Sequence, residues 1–128
     1  DYEIKRGYCY LRRVWQPGDT VALTFNLPIR RLHADPRVKD CAGKAALARG
    51  PVIYCFEQAD QSVPVFFLHL PSDAEIVSCK ELRDLPKSLI GLRMMGKANG
   101  KPHEITAIPY FAWANRTKGD MTVWINET

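Results

Sequence analysis

The side chains best able to do chemistry in this 128-residue chain are four cysteines, three histidines and a scatter of carboxylates. A zinc site needs thiolates, imidazoles or carboxylates at short ligand spacings such as C-x-x-C. Cys9, Cys41, Cys55 and Cys79 form no such pair, and His33, His69 and His103 lie far apart in the sequence. His33 and Asp35 share one face of a short strand, which reads as a surface pair. No G-x-S-x-G elbow or Gly-rich phosphate loop occurs. Acid/base cleavage by paired carboxyl groups needs them about 5–10 Å apart across a cleft. Glu57, Asp60, Glu75 and Asp120 offer no preferred pair, so the expected catalytic, cofactor-binding and metal-ligating residues in the chain are none. The broad aromatic faces of Trp15, Tyr110, Trp113 and Trp124 are the remaining candidates. They either fill a core or form a platform on which an apolar surface or a sugar ring can lie.

Composition bounds the scaffold that positions these residues. Hydrophobic residues make up 46% of the chain and charged residues 25%, enough apolar surface for one domain with one core. No apolar run approaches the roughly 20 residues that span a bilayer, so no membrane partner is expected. The chain starts Asp1-Tyr2-Glu3 without Met or an apolar leader, which reads as an internal boundary of a longer protein. A net charge of +4 raises nucleic-acid binding. However, Arg12-Arg13 and Arg30-Arg31 sit in strand-like segments, where neighbouring side chains point to opposite faces and form no basic stripe. The thiols are expected to be reduced and mostly buried, because a chain of this size does not need disulfide staples.

Hydrophobic alternation predicts short strands. In Thr20–Leu27, Val21, Leu23, Phe25 and Leu27 share one face, expected to be core. Gln16-Pro17-Gly18-Asp19 has the Pro-Gly order of a type II turn, so residues 8–15 and 20–27 are predicted to pair as a hairpin. Further strands are expected at 29–35, 45–49, 52–56, 64–70, 74–80, 88–95, 105–113 and 121–125. Gly50-Pro51 forms a bend between two of them, and Gly96–Gly100 with Pro102 forms a polar loop. Arg49 is expected to find a carboxylate, and Asn115 and Gly119 suit a left-handed backbone. About nine short strands without an amphipathic helix predict an all-β fold, an antiparallel, jelly-roll-like β-sandwich filling residues 1–128 as one domain.

Three phrases carry a family resemblance. They are Gly7-Tyr8 leading to Trp15-x-x-Gly18-Asp19, then Leu47-Ala48-Arg49-Gly50-Pro51-Val52-Ile53-Tyr54-Cys55-Phe56-Glu57, and finally Ile108-Pro109-Tyr110-Phe111-Ala112-Trp113-Ala114-Asn115-Arg116 with Gly119-Asp120-Met121 and Val123-Trp124-Ile125. Together they resemble the C-terminal region of glycoside hydrolase family 127, the β-L-arabinofuranosidase family. That resemblance implies a bacterial, cytoplasmic parent whose upstream (α/α)6 barrel does the chemistry with a zinc-bound cysteine and an acid/base glutamate. No position of this chain matches those motifs, so neither Cys55 nor Glu57 inherits a role and zinc is expected only in the absent catalytic part.

The expected function is a non-catalytic accessory domain that packs on its own catalytic barrel, stabilises it and helps to form a homodimer. The alternative is a carbohydrate-binding module using exposed aromatics. In either case, Trp15, Tyr110, Trp113 and Trp124 are the expected sugar or barrel contacts.

Overall fold

The computed structural model describes residues 2–128. Along them run β1 (Tyr2–Lys5), β2 (Tyr8–Leu11), β3 (Ile29–Leu32), β4 (Lys44–Arg49), β5 (Val52–Glu57), β6 (His69–Leu70), β7 (Ile76–Cys79), β8 (Gly91–Ala98), β9 (Lys101–Pro109), β10 (Met121–Thr122) and β11 (Ile125–Glu127). Short 3-10 turns stand at Lys39–Cys41, Gln58–Asp60, Val65–Phe67 and Tyr110–Ala112. Among the described residues, no helix is long and apolar enough to cross a membrane.

The longest pairing is the β8–β9 hairpin, in register from Leu92↔Ala107 to Ala98↔Lys101. Its two-residue turn is Asn99-Gly100, at φ 50° and 73°, the primed geometry whose twist matches that of paired strands. The sequence expectation of a loop here missed this signal. Gly96 and Pro102 lie within the two strands, and Pro102 is tolerated at the second residue of β9.

The fold is all-β, but the expected antiparallel sandwich is corrected by a ladder that closes on itself. Six strands form a ring in the order β4-β5-β9-β8-β6-β11 and back to β4, a mixed barrel in which β6 and β11 run parallel. β3, β7 and β10 add to its outside through β4, β8 and β5. Direction must return to itself around a closed ring, yet this one contains five antiparallel steps and one parallel step. Five reversals leave direction inverted, so straight strands cannot close it. The bend falls where strands change partner. β4 takes β11 at Lys44–Ala45 and β5 at Ala48–Arg49, whereas β9 leaves β8 after Ala107 and takes β5 at Ile108–Pro109. Period-two alternation is the same in a sandwich and a barrel, so the sequence pattern could not distinguish them.

The barrel interior is filled by Leu47, Tyr54, Phe56, Leu68, Leu70, Leu92, Met94, Ile105 and Ile125 with smaller neighbours. β5 is covered on both faces. Tyr54 and Phe56 point into the barrel, while Cys55 on the opposite face packs with Ile108 and Ala112 in a second, smaller core beneath Leu82, Leu85, Leu89, Met121 and Val123. The run Ala45–Ala48 is wholly buried, as expected of a strand covered on both faces rather than one alternating between core and water. The Ala-rich stretch is therefore strand, as its sequence suggested.

The first 28 residues depart most from expectation. The Pro17-Gly18 turn is present, with the Asp19 N–H donating to the Gln16 carbonyl at 3.1 Å and Gly18 at φ 92°. The predicted 8–15/20–27 hairpin is not. β2 pairs instead with β1 around Arg6-Gly7, and residues 12–28 carry no strand. Val21, Leu23 and Phe25 are exposed rather than core, and so is Cys9. The strand that follows, β3, pairs with β4 alone and ends the sheet, but the segment does not add to its open side.

Outside the ring, β3 is latched to β11 by charge. The Arg31 guanidinium donates to Glu127 Oε1 at 2.7 Å and to the Pro71 and Ala74 carbonyls at 2.9 and 3.0 Å. His33 Nε2 meets Glu127 Oε2 at 2.7 Å. Asp35, expected beside His33, is instead held by Arg37 at 2.9 Å.

Two outcomes follow from this architecture. A methyl group on Gly96 would meet the Ile105 side chain and the His69 carbonyl oxygen, the latter at 2.7 Å, where β6 crosses β8. Gly96→Ala is therefore expected to cost about 1–3 kcal/mol in urea unfolding, and unchanged stability would show that β6 is not seated there. Burial works against the ionised form of Glu127, but the bonds from His33 and Arg31 outweigh it and hold its pKa below the usual value. Its folded pKa is lower than its unfolded one, so its contribution is complete above about pH 4.3 and disappears as pH falls through the folded value. Urea midpoints followed down through this range should lose part of their acid slope in Glu127→Gln; an identical slope would deny the latch.

Candidate functional site

β9 ends at Pro109, which has no N–H to continue the ladder. The chain then makes the 3-10 turn Tyr110–Ala112, closed by Trp113 N–H donating to the Tyr110 carbonyl at 3.1 Å. Ala112 points inward to the second core. Its neighbours point outward. Tyr110 is 46% exposed, Phe111 67% and Trp113 41%. The Tyr110 and Trp113 rings stack with centroids 6.2 Å apart and planes inclined by 22°.

The loop is pinned from beneath by buried charge. Arg116 makes a fork-to-fork pair with Asp60, Nη1 to Oδ1 at 2.7 Å and Nη2 to Oδ2 at 2.5 Å, and Nη2 also meets Glu57 Oε2 at 2.5 Å. Nη1 also donates to the Arg83 carbonyl at 2.9 Å. The three side chains are between 2% and 5% exposed. Glu57 closes β5 and Asp60 closes the following 3-10 turn, so both carboxylates come from one short stretch. The second oxygen of Glu57 accepts the Ala114 N–H at 3.3 Å. Ala114 sits at φ 61°, a left-handed backbone that costs a residue other than glycine about 1–2 kcal/mol. This bond and the Asn115 Nδ2 bond to the Ala112 carbonyl at 3.1 Å hold the turn.

The cluster holds its charges in mutual hydrogen bonds. The hydrogen bonds that Arg116 donates to Asp60 push its pKa above its already high ordinary value against the cost of burial, and the one to Glu57 adds to the effect. Cys55 lies on the same side of β5, where burial first, and the negative charges of Glu57 and Asp60 second, raise its pKa to about 12. A thiol held neutral is a poor nucleophile at neutral pH.

The four aromatics singled out from the sequence divide three ways. Tyr110 and Trp113 come together. Trp15 lies beneath the Arg13 guanidinium, 5.2 Å from its ring centroid, in the strandless segment. Trp124 is half-buried and lines a shallow pocket with Val65, Phe66 and Leu68. Sequence reasoning missed Phe111 and the buried cluster. The guanidinium that takes the buried carboxylates is that of Arg116, not Arg49, and positive φ falls on Ala114 rather than Asn115. One signal was available: Glu57 ends the apolar run Val52-Ile53-Tyr54-Cys55-Phe56, where an acidic group needs a cation. Among the described residues, no three His, Cys, Asp or Glu side chains converge as metal ligands.

Comparison with known proteins places this geometry in a family. The model of the glycoside hydrolase family 127 C-terminal domain matches residues 29–126. The chain is 27% identical to the non-reducing end β-L-arabinofuranosidase of Bifidobacterium longum subsp. longum, over 94% of this chain and 21% of that protein. The crystal structure of a family 127 β-L-arabinofuranosidase from Geobacillus stearothermophilus T6 covers 98% of this chain with 22% of its own length, at 38% identity and a TM-score of 0.77. A second family 127 β-arabinofuranosidase structure matches 81% of the chain with 18% of its own length, at 30% identity and a TM-score of 0.74. The chain therefore spans about a fifth of the length of these relatives.

Removal of the Arg116 cation tests the clamp. Arg116→Met leaves two carboxylates buried against one another, and the loss expected in urea unfolding is ~3–5 kcal/mol. Trp113 fluorescence should move toward that of a solvated indole before the main transition. A loss under about 1 kcal/mol would mean that the carboxylates reach water without it.

Proposed function

Given that the chain belongs to the family of glycoside hydrolase family 127 C-terminal domains, we propose that it is a non-catalytic accessory domain of a longer β-L-arabinofuranosidase, packing on and stabilising the catalytic part of that polypeptide. The observation that carries this reading is the exposed Tyr110, Phe111 and Trp113 surface, displayed on a loop held by the buried Arg116 cluster. Clustered exposed aromatics mark interfaces. A loop already fixed in place also loses little conformational freedom on docking.

The chemistry of the chain supports the non-catalytic half of the reading. Retaining cleavage of a glycosidic bond needs a nucleophile and a free acid/base carboxyl group. The carboxylates brought together here, Glu57 and Asp60, are both engaged by Arg116, and Cys55 is kept neutral. The zinc implied by the family resemblance belongs with the catalytic part. The residues of this chain do not fit it, since among the described residues no three His, Cys, Asp or Glu side chains converge. Arg30 and Arg31 are turned to the Gly50 carbonyl and to Glu127 respectively, which supports leaving nucleic acid aside. The aromatic face also suits a homodimer contact.

A second reading has one observation in its favour. The stacked Tyr110 and Trp113 rings expose adjoining faces on which a sugar ring can lie, the arrangement a carbohydrate-binding module would use.

Phe111→Asp separates these readings. In the 128-residue chain its effect on stability should stay within about 0.5 kcal/mol, as for other surface substitutions, whereas in the full-length gene product it should lower the Tm. An unchanged full-length Tm defeats docking. Calorimetric binding of an L-arabinofuranosyl oligosaccharide to the chain alone, abolished by Trp113→Ala, selects the binding module. Turnover of a β-L-arabinofuranoside by the chain alone defeats both.

A further inference from the structure

Residues 12–28 form no strand, yet part of this segment has the composition and alternation of one. Val21, Leu23 and Phe25 are 58%, 69% and 69% exposed, and all three fall on one face of an extended chain, with Ala22, Thr24 and Asn26 on the other. Such a face stabilises a strand only when it is covered and its backbone groups are paired. Neither condition is met among the described residues, where the segment's backbone bonds are Asp19 N–H to the Gln16 carbonyl at 3.1 Å and Gly50 N–H to the Pro28 carbonyl at 3.4 Å. β1 and β2 present the same problem. Their register puts Tyr2, Ile4, Cys9 and Leu11 on one apolar face, and an isolated two-stranded sheet is marginal in water.

The comparisons place these residues at a border. The C-terminal domain model begins at residue 29, where β3 opens, so the segment lies outside the unit that forms the barrel. The Geobacillus structure nevertheless matches 98% of the chain, segment included, while that match is only 22% of its own length. A stretch at the barrel's border but unused by the barrel is free to pair with the remainder of such a polypeptide.

We propose that residues 20–27 are a strand of a neighbouring β-domain in the same longer polypeptide, added to the edge of that domain's sheet with Val21, Leu23 and Phe25 on its covered face. The occupant is an antiparallel or parallel sheet edge with an apolar inner face, and recognition is by main-chain hydrogen bonds with alternate side chains seated in the core. Leu27 then marks the crossing point: its side chain lies against Gly50 of the barrel, and Pro28 ends the donated strand before β3 begins. The barrel is thereby tied to its neighbour through a shared strand rather than a free linker. This interface is separate from the Tyr110–Trp113 loop and does not depend on the docking proposed for it.

Hydrogen–deuterium exchange of the amides of residues 20–27, in the full-length gene product and in the 128-residue chain, tests the assignment. The expected result is exchange slower by on the order of 100-fold or more in the full-length product, in the alternating pattern of an edge pairing, and near-unprotected exchange in the chain alone. Fast exchange in the full-length product overturns the proposal. Equal protection in both overturns it in favour of contacts within the chain, and protection that grows with concentration in the chain alone overturns it in favour of a second copy. The double substitution Leu23→Asp/Phe25→Asp should lower the Tm of the full-length product and leave that of the 128-residue chain unchanged; equal shifts in both would also count against it.

Discussion

A six-strand ladder that returns to its starting strand leaves its members no freedom to slide, and that closure is the constraint behind the other features of this domain. The closing piece is β11, three residues held between β4 and β6. Seating it brings Ile125 into the barrel and Glu127 outward to Arg31 and His33. Closure also makes strands bend and approach closely, which is why β8 carries glycine where β6 meets it. The ring in turn sets the wall formed by β5 and β9, from which every element of the aromatic loop departs.

That wall is buried on both sides, which gives Glu57 its character. The last residue of β5 would be an isolated buried carboxylate were Arg116 not supplied from the far end of the loop after β9. Burying three charges is expensive, and an apolar replacement of the same volume is often as stable. What the cluster adds is position. It fixes the 57–60 turn and the 110–116 loop relative to one another and holds Ala114 in a backbone that alanine does not choose. The outcome is a small aromatic surface whose shape is determined by interactions beneath it, a property suited to a contact surface.

The local grammar of the fold is readable from residue types: the Pro17-Gly18 turn, the bend at Gly50-Pro51 and the strand nature of the Ala-rich run. What was not readable is non-local. Alternation in residues 20–27 predicts a core-facing strand, yet the segment carries no strand and its apolar face is exposed, because periodicity states that a face wants cover and not what provides it. Barrel closure rests on pairings such as Asn126↔His69, between short segments far apart in the chain whose patterns carry no mutual signal. The same holds at the loop. Tyr110 and Trp113 were chosen for their chemistry, and their stacking follows from a turn. Arg116 stood in plain view within a quoted phrase, but its partners lie more than fifty positions earlier.

The parallel join of β6 to β11 also gives the domain a timetable. When β6 leaves the ribosome, roughly 55 residues remain before β11 follows, about three to ten seconds at ordinary rates of synthesis. Throughout that interval the flanks of β4 and β6 that β11 will occupy stand open, and open strand flanks are templates for unwanted pairing. The nascent domain is thus exposed to mispairing until β11 has been made, and the speed of translation over the β7–β10 region becomes a determinant of how much protein reaches the closed state.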